Sequence, residues 1–167
     1  FTSVGLSRRP IVVETLVNEF WTSKQRAASS LHEVSYRACF KPQLPRFFIE
    51  RFTAPGDVVL VPNPSYPIHA FGFLMAGGAI RSVPSEPTPN FFHTLERAIV
   101  HSIPKPTAVV VCYPANPTAY VATLDFYKDL VAFAKKHGIL VLSDLAYAEV
   151  YFDDNPPPSL LQVPGAN

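Results

Sequence analysis

Apolar and polar positions alternate along the second part of the chain in two distinct rhythms. "DVVLVPNP" (57–64) is a short apolar run stopped by prolines, and it predicts a buried strand. "SYPIHAFGFLMAGG" (65–78) changes to a helical pattern closed by a glycine pair. "AIRSVP" (79–84) predicts a second strand, ended by Pro84. "NFFHTLERAIVHS" (90–102) places Phe92, Leu95 and Ile99 at helical spacing, with Asn90 as the expected cap. "TAVVVCYP" (107–114) is strongly β-branched and predicts a third strand. "TLDFYKDLVAFAKKHG" (123–138) predicts an amphipathic helix. Thr123 caps it, basic residues fill its last turn and Gly138 stops it. "ILVLSD" (139–144) predicts a fourth strand.

Strands and helices that alternate with short connections predict βαβ units and a parallel sheet, hence an α/β fold. Strands this apolar are expected to be covered on both faces. Ligands of such sheets bind at the carboxyl ends of the strands. The first part is less patterned: residues 9–33 read as weakly helical and 42–52 as a short helix opened by proline. The tail "DDNPPPSLLQVPGAN" is expected to be irregular, because its prolines forbid a continuing helix.

Composition narrows the class. The 167 residues are 48% hydrophobic and 16% charged, which excludes a disordered chain and suffices for one cored domain. No apolar run is long enough to span a membrane. Cys39 and Cys112 form no CxxC or zinc spacing, so they read as free thiols of a reducing, cytoplasmic compartment. The net charge of +1 hides an asymmetry: residues 1–56 carry eight Lys/Arg against four Asp/Glu, and residues 57–167 carry six against nine. The basic front reads as an ordinary solvated surface, and no nucleic-acid partner is expected from it. The chain begins on Phe1, which reads as a fragment or a processed product.

Four polar or aromatic residues stand where strands end. Asp144 closes "ILVL" and wants a cationic partner, such as a protonated heteroaromatic nitrogen; a turn-capping role is the alternative. Tyr147 follows three residues later and shares a face with Asp144 if a helical turn starts there. Asn116 precedes Pro117, so it is extended, and its amide is expected to be free for a ligand oxygen; a simple Asn-Pro turn is the alternative. Tyr66 in "NPSYP" either stacks on a flat ligand or packs in the core. Metal binding at Asp144 is not expected, since the nearby His and Cys form no ligand set in sequence.

Together these motifs carry a resemblance. "VPNPSYPIHAFGFLMAGG", "YPANPT", "LVLSDLAYAEVYFD" and "PSLLQVPGA" resemble the class I/II aminotransferases of fold type I, nearest the alanine and LL-diaminopimelate branch, over about residues 57–166. The resemblance implies part of a large pyridoxal-5′-phosphate-binding domain, with an amino acid and a 2-oxo acid as substrates. It implies that Asp144 pairs with the pyridinium nitrogen, that Asn116 and Tyr147 bond the phenolic oxygen of the ring, and that Tyr66 stacks on its face. It also implies a Schiff-base lysine downstream of the Asp-x-x-Tyr segment. The chain ends at Asn167 before such a stretch, and Lys135 and Lys136 sit on the wrong helix. No catalytic residue is therefore assigned, and the chain is expected not to transaminate alone. Its truncated faces are expected to make it a homo-oligomer.

The front departs from that family. Where a Gly/Ser-rich phosphate turn is expected, residues 35–60 read "SYRACFKPQLPRFFIERFTAPGDVVL". This stretch resembles the segment of DNA N4/N6 amino-methyltransferases ahead of their S-adenosylmethionine motif. That family continues from "PGDVVL" into Asp-Pro-Phe and a Gly-rich loop, and this chain continues into "VPNPSYP". The expectation is a mosaic, with a methylase-like segment over 1–56 and a partial aminotransferase domain over 57–167. The rival readings are a methyltransferase remnant with some DNA affinity and a non-catalytic α/β oligomerisation module.

Overall fold

A computed structural model describes Arg51 and residues 53–166. The expectations for 9–33 and for 42–52, Arg51 apart, lie outside these residues. Four strands form one sheet: β1 (Val58–Asn63), β2 (Ala79–Pro84), β3 (Pro106–Cys112) and β4 (Leu140–Asp144). Their order is β2-β1-β3-β4, and every pairing is parallel. Three helices connect them: α1 (Ile68–Met75), α2 (Pro89–Val100) and α3 (Leu124–His137). The predicted strand–helix alternation is thus the observed one.

Alternation along the central strands divides the core. Leu60, Val109 and Val111 point to one face with Phe91, Leu95 and Ile99 of α2 and Phe126, Tyr127 and Leu130 of α3. Val59, Val61, Ala108 and Val110 point to the other, against Phe73 and Ala70 of α1. Full burial of a leucine such as Leu60 contributes roughly 1.5–3 kcal/mol. The second face is thinly covered: Ile68, Phe71, Leu74 and Met75 of α1 remain exposed. The edge strands also depart from the expected two-sided cover. β2 is mostly exposed and β4 half-buried along its length, and among the described residues each has a neighbouring strand on one side only.

Local chemistry sets the element ends. Thr123 Oγ1 accepts the Phe126 amide at 3.1 Å and starts α3. Gly138, at φ 64°, ends it in the left-handed conformation, and Lys135, Lys136 and His137 face the negative end of the helix dipole. For α2 the expected cap is corrected. Thr88 is the N-cap residue and Pro89 takes the first turn, so Asn90 already lies inside the helix. Phe91 is the fully buried aromatic of its first turn, and Phe92 packs, partly buried, against the same core. The tail is more ordered than expected. Ser159 and Gln162 form a capping box around a 3₁₀ turn at Leu160–Gln162, which inserts Leu160 and Val163 into the core. Its prolines stop short of this turn, so their veto on a helix does not reach it.

Candidate active site

Because all four strands run parallel, their carboxyl ends lie along one edge of the sheet. Asp144 closes β4 at that edge, in register with Cys112 at the end of β3. Two hydrogen bonds fix its carboxylate. Oδ1 accepts the Ala146 amide at 3.0 Å, a local turn of the kind the sequence left open. Oδ2 meets His69 Nε2 at 2.8 Å. An ionised carboxylate only accepts, so Nε2 carries the hydrogen. In the neutral ring, Nδ1 then accepts from the Ser65 hydroxyl, 2.5 Å away. The histidine hydrogen bond, more than its charge, holds the Asp144 carboxyl below the usual aspartate range, against the opposing cost of burial. Asp144 is therefore an anion whose side chain is still 34% exposed, and the exposed part is available to a second cationic partner.

Asn116 and Tyr147 meet each other. Asn116 Nδ2 donates to Tyr147 Oη at 2.7 Å, so the amide expected to be free has a protein partner. The pair brings together the loop after β3 and the turn after β4. That turn consists of successive i→i+3 bonds, Ala148 to Leu145 and Val150 to Tyr147, so the condition of a helical turn starting at Asp144 is not met. Tyr66 is about half-exposed just ahead of α1, with its ring edge-on to His69 at 6.5 Å between centroids. It is therefore not a core aromatic.

Three participants were not legible as site residues in the sequence. Ser65 and His69 follow β1, and Cys112 ends β3; Ser65, Cys112 and Asn116 line one crevice with Pro64. The one available signal was helical spacing, since His69 lies one turn after Tyr66 and Ser65. The expectation that no His/Cys set accompanies Asp144 is corrected. The ligand atoms of His69, Cys112 and Asp144 lie within 4.8 Å of one another, because β3 and β4 are neighbours and the His69 side chain of α1 reaches Asp144. Burial, and after it the Asp144 charge, pushes the Cys112 thiol up to about 11.

The donor set suits a pyridoxal phosphate ring. A fixed, exposed carboxylate matches a protonated ring nitrogen, and the Asn116–Tyr147 pair matches a ring oxygen. An exposed aromatic next to the carboxylate's histidine offers a stacking face. Lys135 and Lys136 lie elsewhere. They end α3, which leads into the first residue of β4, at the sheet edge opposite Asp144, and Lys136 pairs with Glu96 at 3.2 Å.

Comparison with known proteins agrees with the geometry. The family model "Aminotransferase class I and II" matches residues 43–165. The putative aminotransferase AatC of Rhizobium meliloti is 73% identical over 117 residues, which cover 70% of this chain and 29% of that protein. The glutamate-pyruvate aminotransferase AlaC of Escherichia coli is 51% identical, over 66% of this chain and 27% of that protein. Among solved structures, substrate-bound BacF of Bacillus subtilis superimposes with a TM-score of 0.65 at 32% identity, covering 75% of this chain and 32% of BacF. An aromatic aminotransferase of Pyrococcus horikoshii gives a TM-score of 0.64 at 26% identity, covering 75% and 34%. The chain thus spans under a third of the length of the curated relatives it matches. It belongs to the class I and II aminotransferases, a pyridoxal-phosphate-dependent family.

Proposed function

We propose that the chain forms the ring-facing part of an aminotransferase large domain, in an enzyme that moves an amino group between an amino acid and a 2-oxo acid. The observation that carries this reading is the Asp144 carboxylate, held ionised by His69 at the carboxyl end of a parallel strand. Bound pyridoxal phosphate supplies an electron sink at the substrate α-carbon. Asp144 keeps a proton on the ring nitrogen, which preserves that sink. His69 holds Asp144 in place and Ser65 holds His69. Asn116 and Tyr147 offer an N–H and an O–H to the ring oxygen, and Tyr66 lies against the ring and excludes water from one face.

Equilibrium dialysis of the whole chain against pyridoxal phosphate tests the reading. Saturable binding of one cofactor per chain supports it. Retention no greater than that of an unrelated protein of equal lysine content overturns it.

The exposed apolar residues of α1, and the edge that β4 leaves unpaired among the described residues, support a further part of the reading, self-association. Gel filtration at two concentrations reads it as a size that grows with concentration. The division at residues 56–57, with a methylase-like front, is proposed on its sequence alone. Sequencing the source DNA across codons 50–70 tests the junction; salt-dependent binding of duplex DNA belongs to the rival reading of a methyltransferase remnant and would favour that one instead.

A further inference from the structure

We propose that His69 Nε2, Cys112 Sγ and Asp144 Oδ2 form a binding site for a thiophilic divalent cation of the zinc class. The three donors come from α1 and from the adjoining ends of β3 and β4, and the set lies within 4.8 Å. Nitrogen, sulfur and one carboxylate oxygen are a zinc-type set, while calcium and magnesium require a cage of oxygens. Zinc bonds of about 2.0–2.3 Å in tetrahedral array set donors roughly 3.3–3.7 Å apart. The His69–Asp144 contact of 2.8 Å therefore opens by about half an ångström, and the pairs with Cys112, within 4.8 Å, close by about 1 Å at most.

Both outer contacts that such a site needs are present. Ser65 Oγ lies against His69 Nδ1 and the Ala146 amide holds Asp144 Oδ1, so Nε2 and Oδ2 are the atoms left to ligate. His69 and Cys112 are each 6% exposed, so a bound cation is largely shielded from water. Of the three donors Cys112 also lines the crevice at Pro64 and Asn116, and water or a small ligand from there would complete the shell. On loading, the imidazole hydrogen transfers from Nε2 to Nδ1 and is donated to Ser65 Oγ. The Cys112 thiol proton leaves to solvent and its sulfur forms the metal bond. No electron changes hands.

The site is inferred from geometry and does not depend on the proposed function. One consequence does: if Asp144 also serves pyridoxal phosphate, cation and cofactor exclude each other.

The test is a titration of the reduced, chelator-treated whole chain with cobalt(II) chloride, a coloured stand-in for zinc. The expected result is a thiolate-to-metal charge-transfer band that saturates at one equivalent and is abolished by zinc. Cys112→Ser loses the band, Asp144→Asn weakens binding at least tenfold, and Cys39→Ser changes neither. Circular dichroism checks each fold, and Cys112→Ala replaces the serine variant if that one does not fold. A folded chain with no band, or a band that survives loss of Cys112, overturns the proposal. The two readings separate cleanly. Cobalt binding without cofactor binding leaves the cation site standing and removes the proposed function; cofactor binding without cobalt binding does the reverse.

Discussion

His69 and Asp144, 75 residues apart in sequence, are joined by a 2.8 Å hydrogen bond across the carboxyl edge of the sheet. The bond ties α1, the connection between β1 and β2, to β4 at the other end of the strand order.

This bond makes stability depend on acid. The folded-state pKa of Asp144 lies below the ordinary aspartate value of 3.8, so the unfolded chain binds its proton more readily. The contribution is complete above that value and is lost as pH falls through the folded pKa. Urea unfolding from pH 7 down to pH 3 should therefore show the original protein losing its lead over Asp144→Asn at the acid end. A lead that is constant across the range contradicts the assignment.

Cys112 makes the opposite prediction at high pH. Its thiol moves from 9.0 to about 11, so the folded protein holds the proton more tightly than the unfolded chain. Its share of stability is full below pH 9 and declines from there to about pH 11. Tyr127, raised to about 12 by burial, adds a decline that starts higher. Cys112→Ser should remove the earlier part of the alkaline limb and leave the later part.

The ends of α3 give a check that involves no ligand. Thr123→Ala removes the acceptor for the Phe126 amide and should cost about 1 kcal/mol. Gly138→Ala forces a β-carbon into the left-handed region and should cost about 1–2 kcal/mol, although nothing lies within 4 Å of the added atom. Chemical denaturation measures both, and a neutral Gly138→Ala contradicts the capping geometry.

Much of this fold was legible because its strands and helices differ so plainly in period. "TAVVVC" has no helical face, and α3 announces both ends through Thr123 and Gly138. Cover was less legible: the apolar run of β4 looks like that of a central strand, yet β4 lies at the edge of the described sheet. Asp144, Asn116, Tyr147 and Tyr66 could be singled out because polar groups at strand ends stand out against apolar runs. His69 and Ser65 could not, since a histidine in an apolar helix gives no sign of a partner 75 residues away. Cys112 was hidden for a similar reason. Only the parallel register of β3 and β4 sets it beside Asp144.

The central claim is that Asp144 is the anion facing the cofactor ring. Pyridoxal phosphate affinity of Asp144→Ala, compared with that of the original chain and of Lys135→Ala, tests it most directly. A hydrogen bond to a charged group is worth about 1.5–3 kcal/mol, so Asp144→Ala should bind roughly ten- to a hundredfold more weakly. Lys135→Ala, at the far edge of the sheet, should bind like the original. Equal affinity in Asp144→Ala and the original chain contradicts the account.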